Sequence, residues 1–399
     1  MAPNNAPAQR PDPRAANMMA RNLIVGNAVK RTQQIYSAVH DPASEPVVNI
    51  SPRNVGLILG FIVQIETNFA VADSTGTALT LTPFGPANLL SRVQFADLNN
   101  NTRINTTGWH LHSVNSARAG SPYLAARTNS TYPIAYGNYY TGLVKAAATI
   151  AQDANSDASM TYYVPLAYSE QDLRGSIYAG VVNATMQLQL TLNASAVAAR
   201  TVAAGSDAVY VTASSATPPA DVTTSPFTVR VYQVYYDQLP AGQNGTVLPL
   251  MDLSTVYELK STTLTGLVAN QDFPIPYSNF RDFLSTFALY RNREAVASGG
   301  FSLESDIASW ALETANYVNL FKVNPDIAGS WGRQTIGDDF TLGMYYVNTR
   351  SKPIATQQYG NMNLVCNPAD VQTGAAMLVG YEAFALQNMI AQAQGLAAS

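Results

Sequence analysis

In "VGLILGFIVQIETNFAV", Val55 to Val71, the odd positions Val55, Leu57, Leu59, Phe61, Val63, Ile65, Phe69 and Val71 are apolar, and Thr67 is the one exception. Successive side chains of a strand point to opposite faces, so a period of two commits one face to a core and leaves the other for water. "TMQLQLTLN" repeats the pattern, with Met186, Leu188, Leu190 and Leu192 on one face and Gln187, Gln189 and Thr191 on the other. Such strands need a second layer over the dry face, which makes the chain a β-sandwich protein. "TVRVYQVYYDQLP" and "FTLGMYYVNTR" read as further strands, and the spacing of turn residues fits sandwiches of many strands.

The chain has 399 residues, enough for two domains of ordinary size. Two passages share an order of elements: "PFGPANLLSRVQFADLNNNTRINTTGWHLHSVNSARAGSP" and "PYSNFRDFLSTFALYRNREAVASGGFSLESDIASWALETANY". Each opens on Pro and an aromatic (Pro83-Phe84, Pro276-Tyr277), reaches Leu-Ser (Leu90-Ser91, Leu284-Ser285), crosses an Asn/Arg turn and arrives at a tryptophan, Trp109 or Trp310. In the second passage Ser305 suits a cap, Asp306 a first turn, and Ile307, Trp310, Ala311 and Val318 one helical face. In the first, Thr107 suits an N-cap, Leu111, Val114 and Ala117 fall at helical spacing, and Gly120 with Pro122 makes a stop. Both passages are therefore expected to be helical after the turn, in a sandwich duplicated in tandem as two eight-stranded jelly rolls.

Residues 1 to 17 read as a flexible arm, and "NMMARNLIVGNAVKRTQQIYSAV" as a helix ending before Pro42, with Met19, Leu23, Ala28, Val29, Ile35 and Tyr36 at roughly helical spacing. Arg10, Arg14, Arg21, Lys30 and Arg31 stand there against the single acid Asp12, which suits an acidic surface such as lipid headgroups or a helix packed on a neighbouring subunit. The stretch Asn193 to Phe227 reads as a surface excursion, and "DQLPAGQNGTVLPL", Asp237 to Leu250, as the domain boundary. The expected division is an arm and helix over 1–49, a first jelly roll over 50–243, a second over 244–384 and a C-terminal arm over 385–399.

Only 12% of residues are charged against 47% hydrophobic, and 22 are tyrosines. So little charge on a soluble chain fits a surface largely covered by other copies of itself. A net charge of -4 gives no long-range pull toward nucleic acid, so direct nucleic-acid binding is not expected. No apolar run reaches 18 residues, and the start lacks the apolar stretch of a signal peptide, so synthesis and residence in the cytoplasm are expected.

No catalytic, cofactor or metal site is expected. His110 and His112 would share a face on a strand but point about 200° apart on a helix, and the one remaining histidine, His40, lies across the N-terminal junction. Adjacent Asp338 and Asp339 would face opposite ways on a strand and suit a turn or strand entry. Cys366, the single cysteine, reads as a buried small hydrophobe and excludes an intrachain disulfide. "DSTGTALT" and "GQNGT" lack the lysine and spacing of a phosphate loop, and Asn183-Ala184-Thr185 is a product of composition.

The stretches "FGPANLLSRV", "GWHLHSVNSA", "YYVPLAYSEQDL", "DQLPAGQNGTVLPLMDLST", "QYGN" and "LVGYEAF" resemble the major coat protein of tectiviruses, tailless icosahedral double-stranded DNA phages with an internal membrane. The resemblance runs in order from Phe84 to Phe384. It implies a double jelly roll with an N-terminal helix at the base of the capsomer near the membrane. It also implies homotrimers of nearly hexagonal outline that assemble an icosahedral shell with penton and minor capsid proteins, and a place in the virion. It brings no catalytic residues. A jelly-roll lectin-like attachment protein is the alternative, which would need a compact loop site of aromatics and carboxylates; a metal-dependent sandwich enzyme would need more histidines.

Overall fold

The computed structural model describes residues 13–71, 78–82, 85–119, 144–147, 149–180, 185–194, 208–212, 222–240, 253–277, 280–292, 304–315, 317–328, 330 and 343–386. Helix α1 (Pro13–Asn27) leads into the eight long strands of a first sandwich: β1 (Val29–His40), β2 (Val47–Ile50), β3 (Leu57–Val71), β4 (Leu90–Ala96), β5 (Thr102–Thr106), β6 (Ala154–Pro165), β7 (Gln187–Leu192) and β8 (Phe227–Asp237). Helix α2 (Gly108–Ala119) lies between β5 and β6. The second sandwich has β9 (Thr255–Leu264), β10 (Phe273–Pro276), β11 (Arg281–Arg291), β12 (Ile307–Thr314), β13 (Tyr317–Val323), β14 (Met344–Asn348), β15 (Met362–Pro368) and β16 (Ala376–Leu386).

The first sandwich pairs its strands in the orders β1-β8-β3-β6 and β2-β7-β4-β5, and the second in the orders β9-β16-β11-β14 and β10-β15-β12-β13. Position for position these are the same two orders, each with the first strand beside the eighth and the second beside the seventh, the wrapped arrangement of a jelly roll. The β2-β7-β4-β5 sheet does not end at β5. It continues into β9 through a parallel pairing, Ile104 beside Leu259 and Asn105 beside Lys260, so one sheet runs through both sandwiches.

From Phe61 onward β3 sits as its period requires, but a bulge between Ile58 and Gly60 resets the alternation, so Ile58 enters the first core while Leu57 and Leu59, expected on that face, turn to the α1 cluster. Phe61, Val63, Ile65, Leu188, Leu190, Val229 and Val231 fill the first core, while Gln64, Glu66 and Gln189 stay partly exposed. The second core holds Trp310, stacked on Tyr345 at 5.4 Å, with Leu312, Leu364, Cys366 and Phe283. A third cluster docks α1 through Ala20 and Ile24 onto Leu57, Leu59, Tyr163, Val234 and Tyr236.

Three expectations are corrected. The helix expected to run to Val39 stops at Asn27, and Val29–His40 is a strand of the first sandwich, paired with β8 from Val29 beside Asp237 to His40 beside Phe227. A bulge between Gln34 and Tyr36 turns both Ile35 and Tyr36 toward the core, and such neighbouring apolar residues imitate helical spacing. The helix expected around Trp310 is β12. Its bulge between Ile307 and Ser309 resets the alternation, so Ile307, Trp310 and Leu312 all point inward at spacings of three and two. Finally, the two repeat passages are not structural equivalents, because Leu90-Ser91 opens the fourth strand of its sandwich and Leu284-Ser285 lies in the third strand of the other.

Within the expected surface excursion, Tyr210–Thr212 pairs with Leu79–Leu81, and Val222–Thr224 extends the sheet beside β3. The Gly120 and Pro122 stop, residues 241–252 of the boundary, Asp338 and Asp339, and the arm beyond residue 386 lie outside the described residues.

Candidate functional site: the joint between the two sandwiches

The stretch "GWHLHSVNSA" is helical, and every residue from Gly108 to Ala117 is buried. Thr107 caps it: its hydroxyl accepts from the His110 N–H at 3.3 Å and its carbonyl from the Leu111 N–H at 3.0 Å. Gly108 is required, since a Cβ there would lie 2.3 Å from the Leu90 carbonyl. A helix without a solvent face needs a wall on each side. On one side the Asn115 amide donates to the Tyr163 carbonyl at 3.0 Å. On the other, Trp109 and His110 each lie 5.0 Å from the ring of Phe287 on β11, and a Cβ on Gly380 of β16 would meet the His110 ring at 2.4 Å. The helix is thus wedged between the first sandwich and the outer face of the β9-β16-β11-β14 sheet. That face contributes Tyr257, Leu259, Phe287, Leu289, Met344, Tyr346, Leu378 and Phe384 to the same continuous cluster as the first core.

The two histidines serve this packing. His110 Nδ1 is 2.6 Å from the Thr106 hydroxyl, which is itself 3.0 Å from Ser261 on β9, so the cap network crosses the joint. Burial pushes the His110 pKa down to about 3, against a smaller opposite pull from Glu382. Burial alone takes His112, whose ring contacts Ser116 at 3.4 Å, to about 4. Both are neutral near pH 7. His40 sits on β1 against Tyr36 at 2.6 Å. Among the described residues, no three His, Cys, Asp or Glu side chains gather in a metal-binding arrangement. Cys366 is buried in the second core, which raises its thiol pKa.

Beside α2 lies a charged cluster that no local sequence pattern announces. Glu382 on β16 is fully buried and held between Arg118 of α2 and Arg350 after β14. Arg118 Nε donates to Oε1 at 3.1 Å, Arg350 Nε to Oε2 at 3.0 Å, and the Ser285 hydroxyl to Oε2 at 3.0 Å. Arg118 also donates to the Tyr168 carbonyl at 2.9 Å and lies 4.9 Å from the Tyr257 ring centre. Burial works to raise the Glu382 pKa, but the two guanidiniums outweigh it and hold it at about 2. One carboxylate on the second sandwich thereby grips an arginine of the first. Buried at the joint, the cluster ties the two sandwiches together.

Of the basic N-terminal residues, Arg21 pairs with Asp172 at 2.8 Å, Lys30 with Glu170 at 2.6 Å and Arg31 with Asp237 at 2.9 Å. Arg10 and the Arg14 side chain lie outside the described residues.

The comparisons with known proteins agree with this architecture. Residues 14–239 match the family model of the P3 major capsid protein N-terminal part, and residues 254–398 that of its C-terminal part. The chain belongs to the P3 major capsid protein family. It is 39% identical over 381 residues to the major capsid protein P3 of Enterobacteria phage PRD1, covering 95% of this chain and 93% of that protein. Among solved structures, the STIV major capsid protein superposes with a TM-score of 0.63 at 10% identity, over 90% of this chain and 97% of that one. A PBCV-1 capsid chain gives 0.51 at 11%, over 90% and 96%. These two show the fold, the double jelly roll. The protein is a bacteriophage capsid protein, located in the virion shell, with a structural and not an enzymatic role. The attachment-protein alternative gains no support from these relatives.

Proposed function

We propose that three copies of this chain close into a capsomer with six jelly rolls around a three-fold axis, and that such capsomers tile an icosahedral shell over an internal membrane, together with penton and minor capsid proteins. The observation that carries this reading is the rigid joint: two sandwiches of identical strand order, fixed side by side by a shared sheet, give three chains six similar pillars. Contacts between capsomers can be individually weak, because each is held by several neighbours at high effective concentration. The low charge content fits the covered surfaces of such an assembly. The chain is made in the host cytoplasm and joins the shell there. The proposed division keeps an N-terminal arm, two jelly rolls and a C-terminal arm, with β1 counted in the first roll; the family models meet between residues 239 and 254.

At the base, α1 leaves Met18, Met19 and Leu23 exposed. With Arg21, Lys30 and Arg31 balanced by acids of the chain, contact with the membrane surface falls to these three apolar residues and to Arg10 and Arg14. Size measurement in mild buffer tests the capsomer: a trimer of the 42.7 kDa chain is expected, and a stable monomer overturns the reading. Flotation with anionic vesicles tests the base, where Met18→Ser with Met19→Ser is expected to reduce binding.

A further inference from the structure

The joint inside the chain is made by the fifth strand of one sandwich, β5, lying parallel to the first strand of the next, β9. Because both sandwiches share one strand order, the chain holds a second copy of each of these edges. The fifth strand of the second sandwich is β13, which pairs with β12 on one side; the first strand of the first sandwich is β1, which pairs with β8 on one side. Among the described residues no strand lies along the outer edge of β13 or of β1. β1 is twelve residues long and carries the exposed apolar side chains Val29 and Val39. A long edge of that kind invites pairing with another chain unless it is covered.

Resting on the three-copy reading above, we propose that β13 of one copy lies parallel to β1 of the next, reproducing between chains the β5–β9 pairing within a chain. The occupant of each edge is then a second copy of this protein. In a closed ring of six sandwiches, every boundary, within or between chains, is a fifth strand against a first strand. No such edge stays open, which explains how so long a strand as β1 can be left at the rim of a sheet. The neighbouring faces differ in chemistry. Inside the chain, the sheet that begins with β9 presents Phe287, Leu289 and Phe384 to the joint, whereas the equivalent sheet beginning with β1 presents Gln64, Glu66, Thr228 and Arg230. The boundary between chains is therefore the more polar of the two and the one expected to part first.

Cysteine cross-linking of the full chain tests this. Cys366 is buried, so introduced thiols report alone. Lys322→Cys on β13 is combined in turn with Thr32→Cys, Gln34→Cys and Ser37→Cys, all exposed on β1. A bismaleimide reaching roughly two strand spacings, about 10 Å, tolerates small differences of register. Lys322→Cys with Asn49→Cys, on the far edge strand β2, is the control. The expected result is a ladder of covalent dimers and trimers on denaturing gels from the β13–β1 pairs, and none from the single variants or the control. Trimers by size that yield no ladder from any β13–β1 pair overturn the pairing while leaving the trimer intact; a monomer by size overturns both. Hydrogen exchange on the unaltered protein gives a second measure. Outward-facing β1 amides as slow as those of β5 and β9 are expected, and fast exchange in an intact trimer overturns the proposal.

Discussion

The sheet β1-β8-β3-β6 and the sheet β9-β16-β11-β14 have the same strand order and different surroundings. The first is dry on one face over most of its length, where β3 alternates buried and half-buried residues from Phe61 to Val71, and only its end at Leu57 and Leu59 is covered by α1. The second is dry on both, because α2 covers the face that its partner sheet does not; eight consecutive residues of β11, Phe283 to Tyr290, are buried. One topology thus yields a largely open wall and a sealed one, sealed by the twelve-residue helix α2 together with the segment after β6, whose Tyr168 and Arg174 lie against Phe384. What is sealed must also be neutralised. Ions on the open wall, such as Glu66 with Arg230 at 2.6 Å, keep contact with water, while Glu382 behind α2 survives only with two arginines and a serine around it.

The largest test of this contrast removes a carboxylate from each wall. Glu382→Ala strands Arg118 and Arg350 in a dry joint and is expected to cost about 3–5 kcal/mol in chemical denaturation. Glu66→Ala on the open wall is expected to cost less than about 1 kcal/mol. Equal losses would erase the distinction between the walls.

Acid comes next. His110 and His112 have folded pKa values of about 3 and about 4, below their ordinary 6.5. From pH 6.5 downward the unfolded chain therefore binds protons that the folded chain refuses. Stability should be level above pH 6.5 and fall below it by about 1.4 kcal/mol per pH unit for each histidine. Glu382, held near 2 against an ordinary 4.5, adds its own loss only below about pH 4.5. Denaturation midpoints at pH 7.5, 6 and 5 check the sign; a flat profile would mean the histidines can reach water.

Gly380→Ala pushes a methyl into the His110 ring, at an expected cost of about 1–3 kcal/mol. Gly26→Ala in α1, where nothing lies within 4 Å, is expected to be neutral or slightly stabilising. Thr107→Ala removes the cap of α2 for about 1 kcal/mol, read as a shift in melting temperature.

The open wall was the legible one. Alternation survives where one face meets water, so β3 from Phe61 onward could be read residue by residue, as could β7 in the facing sheet. Sealing a sheet on both faces erases that period, and β11 and β16 look like plain apolar runs. Bulges did further damage, turning β12 and the second half of the N-terminal segment into false helices. The helix α2 was recovered from its cap and spacing, yet its role was not, since nothing local tells which distant sheet will cover a buried helix. Glu382 was invisible for the same reason: its partners lie 264 and 32 residues away.

The position of β16 between β9 and β11 has a consequence for how the protein is made. A ribosome releases all of the first sandwich, α2 included, before the sheet that will cover that helix can close, because its inner strand β16 starts at Ala376, well over a hundred residues after β8 ends at Asp237. At about 5–20 residues per second the delay is on the order of tens of seconds. For that time Trp109 and its neighbours lack one of their walls, so the nascent first half is the stage at which this coat protein most needs protection from its own kind.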